Sequence, residues 1–137
     1  MYSKIMVPVD LAHVEKLDKA LKTAGDLAKQ YAAEICYVGV TSTAPGSVAH
    51  NPEEFGQRLE AFAREQASGH GKTASTHTIV SHDPAVDLDA KLLEAVELTG
   101  ADLVVMGSHV PGALEHMFSS NAGHVASHAK VSVFVVR

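Results

Sequence analysis

Apolar runs and helical patterns alternate along this chain. Ile5-Met6-Val7-Pro8-Val9 is continuously apolar and is closed by Asp10, which predicts a buried strand. From Val14 to Tyr31 the apolar positions Leu17, Ala20, Leu21, Ala24, Leu27, Ala28 and Tyr31 fall at helical spacing, with Lys and Asp between them. Ile35 to Val40 predicts a second strand, and Thr41 to His50, with Pro45-Gly46 inside it, a turn-rich loop. Asn51-Pro52-Glu53-Glu54 has the chemistry of a helix start: a capping Asn, Pro at the first helical position, and acids in the first turn. Phe55, Leu59, Phe62 and Ala63 supply that helix's apolar face, and Gly69-His70-Gly71 stops it. Thr76 to Val80 is a third, β-branched strand. Asp83-Pro84 is set to cap and start a helix whose inner face is Leu88, Leu92, Ala95 and Val96, ended by Thr99-Gly100. Leu103 to Met106 predicts a fourth strand, Gly107 to Phe118 a loop, Ser119-Ser120-Asn121 the start of a short helix, and Val131 to Val136 a last strand.

The resulting β-α-β-α-β-α-β-α-β order predicts an α/β fold: a doubly wound, five-stranded parallel sheet with helices on both faces. Strands that are apolar throughout, rather than alternating, agree with burial on two faces. The length of 137 residues suits one domain, residues 1–137, with no linker, repeat or low-complexity tract.

Composition narrows the function classes. Hydrophobic residues make up 46% and charged residues 20%, as in an ordinary soluble globule. No stretch approaches the roughly 20 apolar residues of a membrane helix. The opening apolar run is broken by Asp10 too soon for a signal peptide. Net charge is −5 and the Lys and Arg residues are scattered, which argues against nucleic-acid binding. The single Cys36 lies in an apolar run, as a buried structural thiol does, and cannot form an internal disulfide. These features together predict a cytoplasmic protein.

In such a sheet, ligands bind beyond the carboxyl ends of the strands, where the strand order reverses. The positions to examine are therefore Pro8-Val9-Asp10 after the first strand and Met106-Gly107-Ser108-His109 after the fourth. The helix start at Ser119-Ser120-Asn121 offers unpaired N–H groups and hydroxyls suited to phosphate, although Ser or Asn there also serves as a plain cap. Neither Gly-x-Gly-x-x-Gly after the first strand nor the Gly-x-x-x-x-Gly-Lys-Ser/Thr loop occurs. Gly107 to Ala129 contains no Lys or Arg, thin equipment for phosphoryl transfer. The pattern favours binding over turnover.

Val7-Pro8-Val9-Asp10, the run Ala101 to His109, Ser120-Asn121-Ala122, His128-Ala129 and Val133 to Arg137 together resemble the universal stress protein family. Pro111 and Ser-Asn-Ala are most similar to its small single-domain F/G-type branch. The resemblance spans the chain. It implies strand order 3-2-1-4-5, an adenine-nucleotide α-hydrolase-like fold, a homodimer or higher oligomer joined through Val131 to Val136, and ATP, with or without Mg, in the cleft. By carry-over, Pro8, Val9 and Asp10 line the adenine and ribose region, and Val40 with Thr41 adds main-chain contacts to adenine. Met106 and Gly107 lie beneath the ribose, and His109, Val110, Gly112, Ser119, Ser120 and Asn121 hold phosphates. The family writes its phosphate loop as Gly-x-x-Gly, nine residues, then Gly-Ser/Thr. Here Gly107 matches the first glycine, Val110 takes the second place with Gly112 nearby, and Ser119 takes the third, after a loop one residue shorter. A left-handed Ser119 costs about 1–2 kcal/mol relative to glycine, roughly tenfold in affinity.

Three readings are open: an ATP-binding, non-catalytic stress and regulatory module read by a protein partner; a nucleotide-free dimeric interaction module, favoured by Val110 and Ser119; and a slow ATPase or self-phosphorylating protein with Ser119 or Ser120 as acceptor. His124 and His128 share a helix face, with His109 and His116 before them, yet no chelating motif and no carboxylate at ligand spacing accompanies them, so no metal site is expected. Asp10 doubles as an N-cap for the first helix. The segment from Ser42 to Asn51 is placed to cover the adenine or to serve as a connector.

Overall fold

The computed structural model describes residues 1–70, 74–108 and 119–137. The first strand, β1, is Lys4–Val9, buried from Ile5 onward. Asp10 caps the turn after it, its Oδ1 accepting from the Ala12 N–H at 3.0 Å. The chain does not enter an α-helix directly, as the spacing from Val14 predicts. Leu11–Leu17 is a tight 3₁₀ segment, interrupted at His13 by φ −138° and ψ 45°, and the α-helix α1 is Asp18–Tyr31. Ala32 ends α1 in the left-handed conformation at φ 53°, its N–H turned back to the Ala28 and Lys29 carbonyls.

Strand β2 is Glu34–Thr41. Helix α2, Pro52–His70, begins as its sequence dictates: the Asn51 side-chain oxygen accepts from the Glu54 N–H at 2.8 Å. Strand β3 is Ala74–Val80, and α3 is Pro84–Thr99, closed by Gly100 at φ 71°. Asp83 makes no capping bond with its side chain. Ser81 takes over: its hydroxyl accepts from the Asp83 N–H at 3.2 Å and donates to Asp87 Oδ2 at 3.3 Å. Strand β4 is Leu103–Gly107, α4 is Ser119–His128, and β5 is Ser132–Val136. Among the described residues, no helix is long and apolar enough to cross a membrane.

All strand pairs are parallel, as the alternating pattern predicts, and the order is β3-β2-β1-β4-β5, as the resemblance implies. Two cores sandwich the sheet. On one face Ile5, Val7 and Val9 pack with Ala20, Leu21 and Ala24 of α1 and Phe55, Leu59 and Phe62 of α2. On the other, Met6, Cys36 and Val38 pack with Leu88, Leu92 and Ala95 of α3 and Ala122 and Val125 of α4. Successive strand residues thus enter opposite cores, which is why these strands read as unbroken apolar runs. Cys36 is 2% exposed, and burial pushes its thiol pKa up against an opposing Ser75 hydrogen bond, which fits a structural thiol.

β1 meets its two neighbours differently. It pairs with β2 at every position from Lys4↔Glu34 to Val9↔Gly39. Its pairing with β4 is confined to Ile5↔Leu103 and Met6↔Val104. Proline explains the short ladder. Lys4 turns its main chain to the β4 side, donating to the Asp102 carboxylate at 3.1 Å and accepting from the Asp102 N–H at 3.0 Å. Main-chain direction alternates along a strand, so Met6 and Pro8 face that side too. Pro8 has no N–H to donate there, and the ladder stops. The sheet opens between β1 and β4, where its strand order reverses.

Candidate functional site

A cavity of about 200 Å³ lies beyond the carboxyl ends of β1 and β2. Val9 and Asp10 line it from β1, and Val40 and Thr41 from β2. The loop residues Ser42, Ala44 and Gly46 to Ala49 roof it. Phe55 of α2 and Pro84 and Leu88 of α3 complete the wall. The roof is seated: Ala49 is 7% exposed within the α1/α2 core, and the Gly46 N–H donates to the Ala49 carbonyl at 2.9 Å.

Local structure sets what each wall residue presents. The Thr41 carbonyl is taken by the Ser81 N–H at 2.8 Å, so Thr41 turns its main chain to the β3 side. Alternation turns Val40 to the β1 side, at the level where β1 gives way to Asp10. The main chain of Val40 therefore faces the cavity region. Gly39 lets the Phe55 ring approach β2 closely: a Cβ at this position would stand 2.7 Å from it. Asp10 is the one ionisable residue among the described lining residues. Its Oδ2 lies 2.8 Å from His13 Nδ1, while Oδ1 caps the 3₁₀ segment.

Of the residues singled out in the sequence, the fold gathers Val9, Asp10, Val40 and Thr41 around one cavity. Pro8 is buried inside β1 and shapes the opening rather than lining the cavity. Met106 is 1% exposed in the α3/α4 core, and Gly107 pairs with Val136 at the end of β4. Ser119, Ser120 and Asn121 form the first turn of α4. His109, Val110 and Gly112 lie outside the described residues. Sequence reasoning misses Phe55, Pro84 and Leu88 as wall residues because their periodicity marks them only as core.

The histidines of α4 form their own arrangement. His124 and His128 stack with ring centroids 4.0 Å apart and 13° between planes. His128 Nδ1 lies 2.9 Å from the His124 carbonyl, and His124 Nε2 is 3.4 Å from Asp89 Oδ2 of α3, a carboxylate that chain spacing could not reveal. Among the described residues, no group of three or more His, Cys, Asp or Glu side chains is set to hold a metal ion.

A sequence model of the universal stress protein family matches residues 1–137. Universal stress protein G of Shigella flexneri is 32% identical over 148 aligned positions, which take in 100% of both chains. Among solved structures, the universal stress protein from Archaeoglobus fulgidus in complex with dAMP superposes with a TM-score of 0.69 at 19% identity, covering 99% of this chain and 98% of that one. A universal stress protein family protein from Arabidopsis thaliana with AMP bound gives 0.67 at 18% identity, covering 98% and 90%. At these identities the superpositions speak to the fold.

Proposed function

The chain belongs to the universal stress protein family, and on that premise we propose that it is a cytoplasmic adenine-nucleotide-binding module that takes ATP and acts by binding rather than by turnover. The observation that carries this reading is the cavity walled by Val9, Asp10, Val40 and Thr41 at the carboxyl edge of the sheet. Its volume of about 200 Å³ is below the roughly 300–1,000 Å³ of pockets that enclose a whole drug-sized ligand, so it suits a base and some of a sugar. The phosphates then extend toward Gly107 and the start of α4 at Ser119-Ser120-Asn121, whose N–H groups suit an anion; the family pattern adds His109, Val110 and Gly112 as phosphate contacts. Structural relatives bound to dAMP and AMP support an adenine nucleotide as the ligand class. Regulation without turnover is supported by the absence of Lys and Arg from Gly107 to Ala129. ATP occupancy would be read by a protein partner through a loop or dimer surface that binds ATP in one conformation better than in another.

The homodimer belongs to the same proposal. β5 is an edge strand, and Phe134 on it is 46% exposed, a hazard unless the edge is paired. Phe134→Asp is expected to give monomer or insoluble protein in sedimentation; an unchanged dimer rules out this interface. A second reading, a nucleotide-free dimeric module, is favoured by Val110 and Ser119 at family glycine positions. Calorimetry on nucleotide-stripped protein separates the two. Micromolar ATP binding, with and without Mg²⁺ and weaker for AMP, establishes the first. No heat with either nucleotide and no competition by ATP establishes the second.

A further inference from the structure

Resting on the nucleotide reading of this cavity, we infer that His13 is a positioning residue: it locks the Asp10 carboxylate as an acceptor for a hydrogen-bond donor on the nucleoside end of the ligand. The turn after β1 is built around this pair. The His13 N–H donates to the Asp10 carbonyl at 3.0 Å, and the His13 ring returns to the Asp10 side chain at 2.8 Å. Residues 10 and 13 are thus tied twice, by main chain and by side chain. The departure of His13 from helical geometry, at φ −138° and ψ 45°, accompanies that fold-back.

The consequence lies in the carboxylate. An ionised carboxylate only accepts, so the proton between the pair sits on His13 Nδ1. Oδ1 receives the Ala12 N–H at 3.0 Å and Oδ2 receives His13, so one donor on each oxygen fixes the carboxylate plane. Asp10 side-chain exposure is 14%, against 36% for His13, and Asp10 lines the cavity where His13 does not. His13 therefore acts through Asp10 and touches no ligand. Each oxygen keeps a lone pair, and what that lone pair accepts must carry O–H or N–H. Phosphate is repelled by the same charge. The ligand enters with its sugar and base at Asp10 and its anionic end directed away. The shared chemistry is a neutral donor, either a ribose hydroxyl or the exocyclic amine of the base.

The test measures ATP, 2′-deoxy-ATP, 3′-deoxy-ATP and inosine triphosphate by calorimetry against wild type, His13→Ala and His13→Asn, with Asp10→Ala as benchmark and thermal melting as a fold control. Asn places a donor amide where Nδ1 lies. His13→Ala is expected to weaken ATP by up to roughly tenfold, because the freed Asp10 carboxylate no longer holds its own charge-assisted bond to the ligand's donor. It is also expected to shrink the preference for ATP over whichever analogue lacks the donor. Loss of preference against a deoxy analogue assigns the donor to the ribose; loss against inosine triphosphate assigns it to the amine. His13→Asn is expected to restore affinity and preference together. If wild type binds and His13→Ala matches it in affinity and in preference, the inference falls while the site reading stands. If wild type takes none of the four nucleotides, both fall.

Discussion

The two sides of β1 are unlike. Toward β2 the strand is closed along its whole length, with Phe55 and Leu59 of α2 packed across Gly39. Toward β4 it is anchored only at its amino end: Asp102 gathers the N–H groups of Ser3 and Lys4 and the Ser3 hydroxyl, and pairing stops after Met6. The closed side carries the cavity beyond its carboxyl ends, and the other side leaves the upper part of β1 without ladder partners on β4. The difference shows that a ladder here can end with both strands still present. A single imino acid on the side where a donor is required removes the bond that would carry the ladder further, while the strands' other neighbours remain in register.

The closed side should be the more costly to disturb. A methyl at Gly39 meets the Phe55 ring at 2.7 and 2.8 Å and a Leu59 methyl at 3.3 Å. Leu59 is 0% exposed and has no open space to retreat into, and Phe55, 5% exposed, can yield only toward the cavity it walls. Gly39→Ala is therefore expected to cost about 1–3 kcal/mol in urea denaturation, the usual range for overpacking. It should also weaken nucleotide binding, because Phe55 is a wall residue of the cavity. A variant as stable as wild type would show that α2 shifts freely on β2 and that the two sides differ less than their ladders suggest.

The anchor on the open side is electrostatic and gives a pH-dependent signature. Burial works against the charged form of Asp102, but the N–H groups of Ser3 and Lys4 and the Ser3 hydroxyl outweigh it and hold the pKa below the ordinary Asp value. A depressed folded-state pKa contributes stability that is present above the unfolded value, about 3.9, and is lost as pH falls through the folded value. Wild type is thus expected to lose stability on acidification below about pH 4–5. Asp102→Asn should be less stable than wild type at pH 7, with the gap narrowing as pH falls. A gap that stays constant from pH 7 to pH 3 would mean the charge of Asp102 does not hold β1 to β4.

Much of this architecture is legible in the chain because apolar runs end at residues with strong local meaning. Asp10, Asn51-Pro52 and Gly100 each mark a boundary the structure keeps. The 3₁₀ entry at Leu11–Leu17 is not legible, since Leu11, Val14 and Leu17 suit either kind of helix and the kink at His13 leaves no periodic trace. The end of α1 is hidden for another reason: Ala32 adopts a left-handed conformation that sequence rules assign to Gly or Asn. At the site, residues just after strands can be named from topology alone. Phe55, Pro84 and Leu88 cannot, because their wall role depends on how α2 and α3 lean on the sheet. The Asp10–His13 contact is hidden too: Asp10 reads as a cap or a ligand contact, and nothing in the spacing marks the imidazole three residues on as its partner.

The smallest expected change in stability comes from the residue that sets the comparison. Pro8→Ala restores an N–H on the β4 side of β1. One added ladder bond contributes about 0.5–1.5 kcal/mol. Loss of the proline frees the unfolded chain by about 0.4–1 kcal/mol in the opposite direction. The two nearly cancel, so the unfolding free energy is expected to move by under about 1 kcal/mol. The structural effect should be plain despite that balance. If proline is what stops the ladder, the new amide at position 8 will be protected from hydrogen exchange, β4 will close onto β1 past Met6, and ATP affinity will fall although Asp10 and Val40 are untouched. If the amide exchanges freely and affinity is unchanged, the strands separate for another reason. The place to look would then be the packing of Leu17 and Ala20 against Gly107, which lies 3.6 and 3.9 Å from them by the position of its absent Cβ.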